Sequence, residues 1–323
     1  MEEVLQIKEK IEKAKNIAIF GHSNTDGDCI GSMCATYLLL TGLGKNVDMF
    51  VDSIIPEYLF SIKNADKIND KEFDEKNYDL LISIDTAVLK RLGLYAKVFQ
   101  NYENTVLIDH HISNEKYAKI NLVNGNAPAC GQVIYDFITN CGYEIDEDIA
   151  NCILSAIVSD TNCFSNSNVK NETFDIAGKL IGLGADYQNV VFKIHKEKSL
   201  NQIRMAGYLT SNIQLKDDIS YVAVSEKQMK KLNCEYDDVS KFTNLINNIT
   251  GAKITLLFKE KSKNLVNVSF RSLPEIDVNV IAAKFNGGGH KNASACIISG
   301  KLKNVVKQVF EACREELNKI EKC

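Results

Sequence analysis

Short apolar runs alternate with helical patterns along the first half of the chain. The runs lie at positions 17–20, 47–51, 80–84 and 106–108 and are apolar nearly throughout, and a helical pattern covers about 29–41. Strands of this kind, separated by helices, are typical of a parallel sheet that is buried on both faces. The pattern therefore predicts an α/β fold with a mainly parallel sheet flanked by helices.

The second half carries different patterns. Between Ile149 and Ile157, apolar residues recur at i, i+3, i+4, i+7 and i+8, which predicts a helix with one buried face. A charged helical pattern continues over 186–212, where Gly207 is the only glycine or proline. Strand candidates follow near 219–224, 253–258, 265–270 and 296–299, and a last helix begins at Leu302. We expect an N-terminal domain at 1–185, a helical connector at 186–212 and a smaller C-terminal α/β domain at 213–323.

The composition fits two folded domains that act on a small anion. The chain has 323 residues, 45% of them hydrophobic, and a formal charge of −4 from 38 Lys and Arg against 42 Asp and Glu. This charge argues against tracking along long nucleic acid but is compatible with a short anionic substrate. The charged N-terminus is unlike a signal peptide and no run reaches the length of a membrane span, so we expect a cytoplasmic protein without a membrane partner.

The ten cysteines are predicted to be reduced and mostly buried, because they form no C-x-x-C pair and follow no spacing typical of secreted proteins. Cys130, Cys141, Cys152 and Cys163 recur every eleven residues, but Gly142 and its polar neighbours interrupt any single helix through them. A metal site shared by these four is not expected, since structural zinc sites cluster their thiols more tightly.

Histidines and aspartates gather after the predicted strands. Because the carboxyl ends of parallel strands meet at one edge of a sheet, these side chains are expected to converge. Imidazole and carboxylate are ligands of Mn²⁺, Mg²⁺, Fe²⁺ and Zn²⁺, and aspartates this dense repel one another unless a cation lies among them. The pattern favours a two-metal site that acts on phosphorus. The residues are His22, Asp26, Asp28, Asp85, Asp109, His110, His111 and Asp160.

Each motif also has a structural alternative. Asp26 or Asp28 can cap the helix that follows, and His110 with His111 can be a core pair. At a strand end, however, consecutive side chains diverge, so one imidazole can bind a metal while its neighbour faces substrate. Asp109 can then accept the other N–H of the ligand histidine. The shared location of the motifs favours the metal site.

A glycine-rich segment in the C-terminal domain is a candidate substrate site. Gly287, Gly288 and Gly289 let backbone amides approach an anion closely, and His290 adds a donor, although such a stretch is also an ordinary turn. Arg271, at the end of the strand 265–270, offers a planar guanidinium that suits phosphate, with a surface salt bridge as the alternative. We expect these five residues to bind substrate.

In this order the motifs resemble those of the DHH phosphoesterase family, in the branch with a C-terminal DHHA1 domain that contains the nano-RNases and pAp phosphatases. The resemblance spans nearly the whole chain, and several ordered motifs are far more specific than one. It implies a DHH domain, a helical connector and a DHHA1 domain. The motifs are His22 to Ser32, Asp85-Thr-Ala, Asp109-His-His, Asp160-Thr-x-x-Phe164, Ser269-Phe-Arg-Ser272 and Gly287-Gly-Gly-His290.

The resemblance implies two divalent ions, usually Mn²⁺ with Mg²⁺ or Fe²⁺ as alternatives, that share one bridging aspartate. The implied ligands of the first ion are His22, Asp26 and Asp85. The implied ligands of the second ion are Asp28, Asp85, His110 and Asp160.

The resemblance also assigns the remaining residues. His111 would contact the scissile phosphate, Asp109 would support His110, and Arg271 with the glycine segment would anchor another part of the substrate. Some positions depart from the family pattern without removing an implied ligand, and the thiol at position 29 predicts sensitivity to oxidation. The departures are Thr25 for proline, Cys29 for alanine, and Asn162 and Cys296 for glycine.

The implied substrates are very short RNA oligonucleotides, hydrolysed to mononucleotides, and 3′-phosphoadenosine 5′-phosphate (pAp), hydrolysed to AMP and phosphate. A cyclic-di-AMP or pApA phosphodiesterase is the alternative, and a nucleotide-binding sensor without catalysis is a further one. A family-II pyrophosphatase is disfavoured because its Arg-Lys-Lys stretch is absent, and a RecJ-type exonuclease by the short chain and by His22. The sequence leaves open the metal, the direction of RNA cleavage and the oligomeric state, a homodimer included.

Overall fold

A computed structural model describes residues 1–320 except 241, 244 and 248, without the side chains of 237, 240, 290 and 320. The chain divides into two compact units, Met1–Glu197 and Lys198–Cys323. The boundary between the two units falls inside the predicted connector 186–212. The division into domains at 1–185 and 213–323 with a separate connector stays a prediction. Within the described residues, no helix is long and apolar enough to cross a membrane.

The first unit is built on a five-stranded sheet in which every pairing is parallel. The strands are β1 Asn16–Phe20, β2 Asn46–Phe50, β3 Leu80–Ile84, β4 Thr105–Asp109 and β5 Ile120–Val123. Their order across the sheet is β2-β1-β3-β4-β5. The predicted parallel sheet is confirmed, and β5 is an additional strand that the sequence pattern did not predict.

The helices of the first unit include those predicted at 29–41 and 149–157, each extended by a few residues at both ends. The helices are α1 Glu2–Lys13, α2 Gly27–Gly42, α3 Ala96–Asn101, α4 Cys130–Asn140, α5 Glu147–Asp160, α6 Asn171–Gly182 and α7 Tyr187–Val191.

The three inner strands β1, β3 and β4 are buried on both faces, which explains why they are apolar nearly throughout. Along β1, Ile17 and Ile19 join the large core packed under the helices, whereas Ala18 and Phe20 join an aromatic cluster on the other face. There the rings of Phe20 and Phe50 stack with centroids 5.6 Å apart. Because apolar side chains fill both faces, the strand ends are where the sheet can present polar groups.

The second unit has a six-stranded sheet of order β10-β11-β9-β8-β7-β6, in which only β7 and β8 pair in parallel among the described strands. The strands are β6 Gln214–Lys216, β7 Ile219–Val224, β8 Ile254–Ser262, β9 Leu265–Ser272, β10 Gly288–His290 and β11 Ala293–Ser299. The helices are α8 Leu200–Ser211, α9 Glu226–Lys231, α10 Tyr236–Ser240, α11 Val278–Ala283 and α12 Leu302–Ile320.

The glycine segment differs from the predicted loop, because Gly288 and Gly289 belong to the edge strand β10. A Cβ at Gly287 would lie 2.3 Å from the Ala295 carbonyl oxygen, and one at Gly289 would lie 2.5 Å from that of Ala293. Gly289 also has φ of +152°. Close approach to β11 therefore explains two of the three glycines.

The nine described cysteines are free thiols, eight of them buried and Cys163 half-buried. This confirms the expected burial for the described part of the chain. Cys323 lies outside the described residues.

Candidate metal centre

The predicted site residues of the first unit meet at the carboxyl edge of its sheet. His22 follows β1, Asp85 follows β3, and Asp109 ends β4, while Asp28 and Asp160 come from the first turn of α2 and the last turn of α5. The chain runs from β1 to β2 on one side of β1 and then crosses to β3 on the other side. The gap between β1 and β3 is therefore a topological switch point. Open α/β sheets bind ligands at such points.

Asp85 lies at the middle of the cluster with its two carboxylate oxygens facing different histidines. Oδ2 is 3.4 Å from Nε2 of His22, whereas Oδ1 is 3.6 Å from Nε2 of His110 and 3.7 Å from Nδ1 of His111. The side chain is 2% exposed, and Oδ1 has no hydrogen-bond partner among the described residues. A buried carboxylate oxygen without a donor is costly unless something absent from the polypeptide compensates it.

The backbone at Asp85 supports a functional interpretation. Its φ is +54°, in the left-handed region, which costs a residue other than glycine about 1–3 kcal/mol and persists only where the surrounding structure imposes it. Asn162, Cys163 and Phe164, directly beyond α5, are also left-handed, with φ of 48°, 55° and 62°. Asparagine tolerates this conformation, which explains how Asn162 stands where glycine is usual.

Asp26 caps a helix and also faces the metal centre. Its Oδ1 caps α2 by accepting from the amides of Asp28 and Cys29 at 3.1 and 3.0 Å. Its Oδ2 lies 3.8 Å from Nε2 of His22. One oxygen therefore stabilises the helix while the other faces the centre.

Backbone amides hold Asp28 in place. The amides of Cys130 and Gly131 donate to its two oxygens at 2.6 and 2.9 Å, and the Ser32 hydroxyl donates at 3.2 Å. The first turn of α4 thus fixes a carboxylate from α2. These amides are backbone groups, so no residue pattern in the sequence could have revealed them.

His110 joins the second group of predicted ligands. Its Nε2 lies 3.7 Å from Oδ2 of Asp28 and 3.6 Å from Oδ2 of Asp160. Its Nδ1 lies 3.2 Å from the Ala127 carbonyl oxygen, which can only accept. The tautomer with the proton on Nδ1 therefore leaves the Nε2 lone pair facing the carboxylates.

Asp109 supports His111, which corrects the expectation that it would support His110. Oδ1 of Asp109 accepts from Nδ1 of His111 at 2.8 Å, while Oδ2 accepts from the Asn114 side chain at 2.5 Å. The chain turns back after β4, with the amide of Asn114 donating to the His111 carbonyl at 3.1 Å, and this turn brings the second imidazole over Asp109. Nε2 of His111 is left for another partner.

Arg91 is a neighbour of the centre that the sequence analysis missed. Its Nη2 lies 2.9 Å from Nδ1 of His22, and its carbonyl accepts from the Ser23 amide at 2.8 Å. Nδ1 of His22 also lies 3.0 Å from the Ser23 carbonyl oxygen. That carbonyl can only accept and favours a proton on Nδ1, which leaves the Nε2 lone pair facing Asp85, whereas the guanidinium can only donate and favours the opposite tautomer. No pattern in the sequence points to Arg91 beyond its position six residues after Asp85.

The shifted pKa values show that burying these aspartates and histidines together disfavours their charged forms. Burial and then the charges of neighbouring aspartates raise the pKa values of Asp28 and Asp85 well above the usual range, and burial with Asp26 raises the pKa of Asp160 to about 7. Burial lowers the pKa values of His22 and His110, which favours neutral imidazoles. With a pKa of about 7, Asp160 is partly protonated at neutral pH when no cation is bound.

His111 and Asp109 shift in the opposite direction. Burial lowers the pKa of His111, but the hydrogen bond and charge of Asp109 outweigh it, so the pKa is raised overall. Burial raises the pKa of Asp109, but His111 and Asn114 outweigh it, so that pKa is lowered. The pair is therefore an imidazolium and a carboxylate over a wider pH range than either group alone.

These residues fit divalent cations. Three groups of side chains each place one donor atom per residue within 4.8 Å of the others: His22, Cys29 and Asp85; Asp85, His110 and His111; Asp28, His110 and Asp160. Nitrogen and carboxylate oxygen donors suit Mn²⁺, Mg²⁺, Fe²⁺ and Zn²⁺. A cation would stabilise the buried carboxylates and give the unpartnered Oδ1 of Asp85 a partner.

The contribution of three buried aspartates to the stability of the metal-free protein is expected to fall as the pH rises. Asp28, Asp85 and Asp160 have raised pKa values in the fold, so each binds its proton more tightly in the native state than in the unfolded chain, whereas the lowered pKa values of His22 and His110 act in the opposite direction. The resulting stability is present at acidic pH and is lost from the ordinary aspartate range near about 4 upward, through about 7 for Asp160.

Thermal unfolding in chelator, scanned over this range, measures the effect, and the Asp85→Asn protein should show a shallower fall because it has lost one raised pKa. Saturating Mn²⁺ should flatten the dependence, since the cation stabilises the ionised carboxylates. Equal slopes for the two metal-free proteins would contradict this interpretation.

Arg271 lies at the end of β9 in the second unit. Among the described residues its guanidinium has no ion pair, and Nη1 donates only to the Phe270 carbonyl at 2.9 Å, so the surface salt bridge weighed for it is wrong. Burial lowers the pKa of Arg271. Arg271 pairs with Ala293, which pairs in turn with His290 of β10. The His290 side chain lies outside the described residues.

Comparison with known families agrees with the order of the motifs. The model of the DHH family, N-terminal domain, matches residues 16–157, and the model of the DHHA1 domain matches residues 218–319. The two matches lie in the two compact units. They confirm the resemblance predicted from the motifs.

Three similar proteins illustrate the range of relatives. The bifunctional oligoribonuclease and PAP phosphatase NrnA of Mycoplasma genitalium is 28% identical over 96% of this chain and 95% of its own. The cyclic-di-AMP phosphodiesterase GdpP of Bacillus subtilis is 24% identical over 94% of this chain but only 49% of its own. The crystal structure of an exopolyphosphatase-related protein from Bacteroides fragilis has a TM-score of 0.93 and 25% identity, covering 100% of this chain and 98% of that one.

Proposed function

Because the chain belongs to the DHH family and joins a DHH domain to a DHHA1 domain, we propose that it is a two-metal phosphoesterase acting on short nucleotides. Its substrates would be very short RNA oligonucleotides, hydrolysed to mononucleotides, and pAp, hydrolysed to AMP and phosphate. The near full-length similarity to a bifunctional oligoribonuclease and PAP phosphatase supports this pair of substrates. The cytoplasm is the proposed compartment.

One observation carries the proposal: the two oxygens of Asp85 face separate donor sets. On the Oδ2 side lies His22, and beyond it Asp26. On the Oδ1 side lies His110, which also faces Asp28 and Asp160. A buried carboxylate placed in this way is suited to bridge two cations.

We propose the ligand sets that the family resemblance implies. Two bound Mn²⁺ ions would lower the pKa of a water molecule and stabilise negative charge on the phosphate oxygens. Mg²⁺ and Fe²⁺ suit similar donors. The first set is His22, Asp26 and Asp85, and the second set is Asp28, Asp85, His110 and Asp160.

His111 is the proposed contact to the scissile phosphate. Its Nδ1 donates to Asp109, and when the ring is protonated to an imidazolium its Nε2 also carries a proton, which can be donated to a phosphate oxygen or a leaving group. The raised pKa of His111 keeps that proton bound at higher pH. Asp109 orients the ring and stabilises its positive charge, while Asn114 holds Asp109.

In the second unit we propose that Arg271, Gly287, Gly288, Gly289 and His290 bind the rest of the substrate. The half-buried Arg271 guanidinium has no ion-pair partner among the described residues, as expected of a group that awaits an anion. The glycines of β10 lie at a sheet edge, where backbone amides are available.

A substrate panel tests the proposal. Mn²⁺-loaded protein is incubated with pAp, pApA, cyclic di-AMP and RNAs of two to five nucleotides, and the products are separated by chromatography. We expect AMP from pAp and mononucleotides from the short RNAs. Preferential cleavage of cyclic di-AMP or pApA would favour the alternative activity suggested by GdpP, and metal binding without release from any substrate would favour a nucleotide sensor.

Asp109→Asn is expected to lower kcat by about 10²- to 10⁴-fold, because an amide cannot stabilise the imidazolium and can hold the wrong tautomer of His111. Metal content should stay at the wild-type level, since the carboxylate faces His111 and Asn114. Kinetics with pAp and metal analysis of the same preparation measure both quantities. A loss of metal that accompanies the loss of turnover would place Asp109 among the ligands.

A further inference from the structure

Cys29 lies at the metal centre but has no role in the function proposed above. We propose that its thiol is a further ligand of the ion held by His22 and Asp85, and that this position therefore favours a thiophilic cation such as Fe²⁺, Co²⁺ or Zn²⁺ over Mn²⁺. The inference rests on the proposed two-ion site. It adds a donor that the implied ligand sets do not contain.

The three donors come from three separate elements. Sγ of Cys29, in the first turn of α2, lies within 4.8 Å of both an imidazole nitrogen of His22 after β1 and a carboxylate oxygen of Asp85 after β3. One cation among three atoms this close can contact all of them, since metal–sulfur and metal–nitrogen bonds are about 2.3 and 2.0–2.1 Å for Zn²⁺. The thiol is 0% exposed, so it faces the interior of the unit rather than solvent.

The surroundings of the thiol are compatible with a ligand. Asp85, the carboxylate of this donor group, is 2% exposed, and its Oδ2 faces His22, whereas its unpartnered Oδ1 faces His110 and His111. The backbone also makes room for the sulfur, because a Cβ at Gly21 would lie 2.6 Å from Sγ of Cys29 and 2.5 Å from Sδ of Met33.

The proposed ligand is the thiolate. A cation at bonding distance favours the deprotonated form, and a coordinating thiol is deprotonated outright. Binding forms a metal–sulfur bond and breaks the S–H bond, and the proton passes to solvent.

A thiolate in the ligand set changes which ion the site prefers. Soft sulfur donors favour Zn²⁺ and iron over Mn²⁺, and Mn²⁺ is already the weakest binder in the order of divalent affinities. Removing the thiol should weaken binding of Co²⁺ at this position by at least about ten-fold, since even partners outside the ligand shell are worth about 10- to 100-fold in affinity. Mn²⁺, which gains little from sulfur, should be affected less.

The absorption spectrum of the full chain loaded with Co²⁺ tests the proposal. A thiolate bound to Co²⁺ gives an intense near-ultraviolet charge-transfer band that histidine and aspartate ligands do not give. We expect this band in the wild-type protein and its loss in Cys29→Ala, with Cys29→Ser as a second variant that keeps a polar atom at the position. Cys34→Ala is the matched control, because Cys34 is equally buried on the same helix but belongs to none of the donor groups of the described residues.

Absence of the band from wild-type protein that contains Co²⁺ would overturn the proposal, whether or not the variants fold. A band that survives in Cys29→Ala or Cys29→Ser would overturn it as well. Turnover of pAp, measured separately, distinguishes failure of the thiol ligand from failure of the proposed function. Turnover without the band would reject Cys29 as a ligand and leave the proposed function standing. The band without turnover of any substrate would support the ligand and reject the function.

Discussion

Asp85→Asn is expected to lower kcat/KM for pAp by about 10³-fold or more and to reduce the bound metal at both positions. The two oxygens of Asp85 face the His22 and His110 sides separately, so one substitution removes a negatively charged ligand from both sets. Electrostatic stabilisation by metal is worth several kcal/mol, and about 1.4 kcal/mol corresponds to a factor of ten. Metal analysis and steady-state kinetics measure the two effects.

The fold should survive this change. Asparagine tolerates the left-handed backbone at φ of +54°, which alanine would adopt only with strain, and it removes a carboxylate that is buried against other carboxylates. The metal-free variant should therefore unfold at a temperature no lower than metal-free wild type at neutral pH. Asp70→Asn, at an exposed position of the same unit, is the control. Undiminished turnover by the Asp85 variant would remove Asp85 from the site.

His111→Ala is expected to lower kcat by about 10²- to 10⁴-fold with little change in bound metal. The ring donates through Nδ1 to Asp109 and keeps Nε2 for the phosphate, so its loss removes a proton donor rather than a ligand. Because Asp109 raises the pKa of His111, wild-type turnover should decline as the pH rises through that pKa, and the variant should lose this limb of the profile.

His195→Ala is the matched control for this variant. His195 belongs to the same unit, but its Nε2 lies 2.9 Å from the Val158 carbonyl oxygen and it is not part of the proposed site. We expect near wild-type kcat from this protein. If His111→Ala lost metal as severely as activity, His111 would be a ligand, which its 3.7 Å distance from Asp85 would then explain.

The location of the site was predictable because the sheet is apolar on both faces. Ile17 and Ile19 pack into one hydrophobic core and Phe20 packs into the other. Polar side chains near β1 therefore lie at the end of the strand. The same reasoning places Asp85 after β3 and His110 after β4. Convergence at one edge follows from the parallel pairing alone.

The pairing of Asp109 was not predictable in the same way. Three consecutive residues at a strand end do not reveal which imidazole turns back over the carboxylate, because that depends on the tight turn closed between Asn114 and His111. Arg91 was missed because it lies in an irregular segment without periodicity. Likewise, β5 is only four half-buried residues long, too short for its pattern to stand out.

The glycines at 287–289 have two different explanations, close packing of the backbone and binding of an anion. Gly287 and Gly289 are required where β10 approaches the backbone of β11, so their presence alone does not indicate anion binding. A Cβ at Gly288, by contrast, would find only Asn279 near, at 3.8 Å. The assignment of this segment to substrate therefore rests on the family resemblance and on the guanidinium of Arg271.

Anomalous diffraction from a crystal of the protein soaked in Mn²⁺ would locate the bound ions. We expect two peaks flanking Asp85, one on the side of His22 and one on the side of His110. A single peak, or Mn²⁺ bound elsewhere with none beside Asp85, would contradict a two-metal phosphoesterase built on this carboxylate.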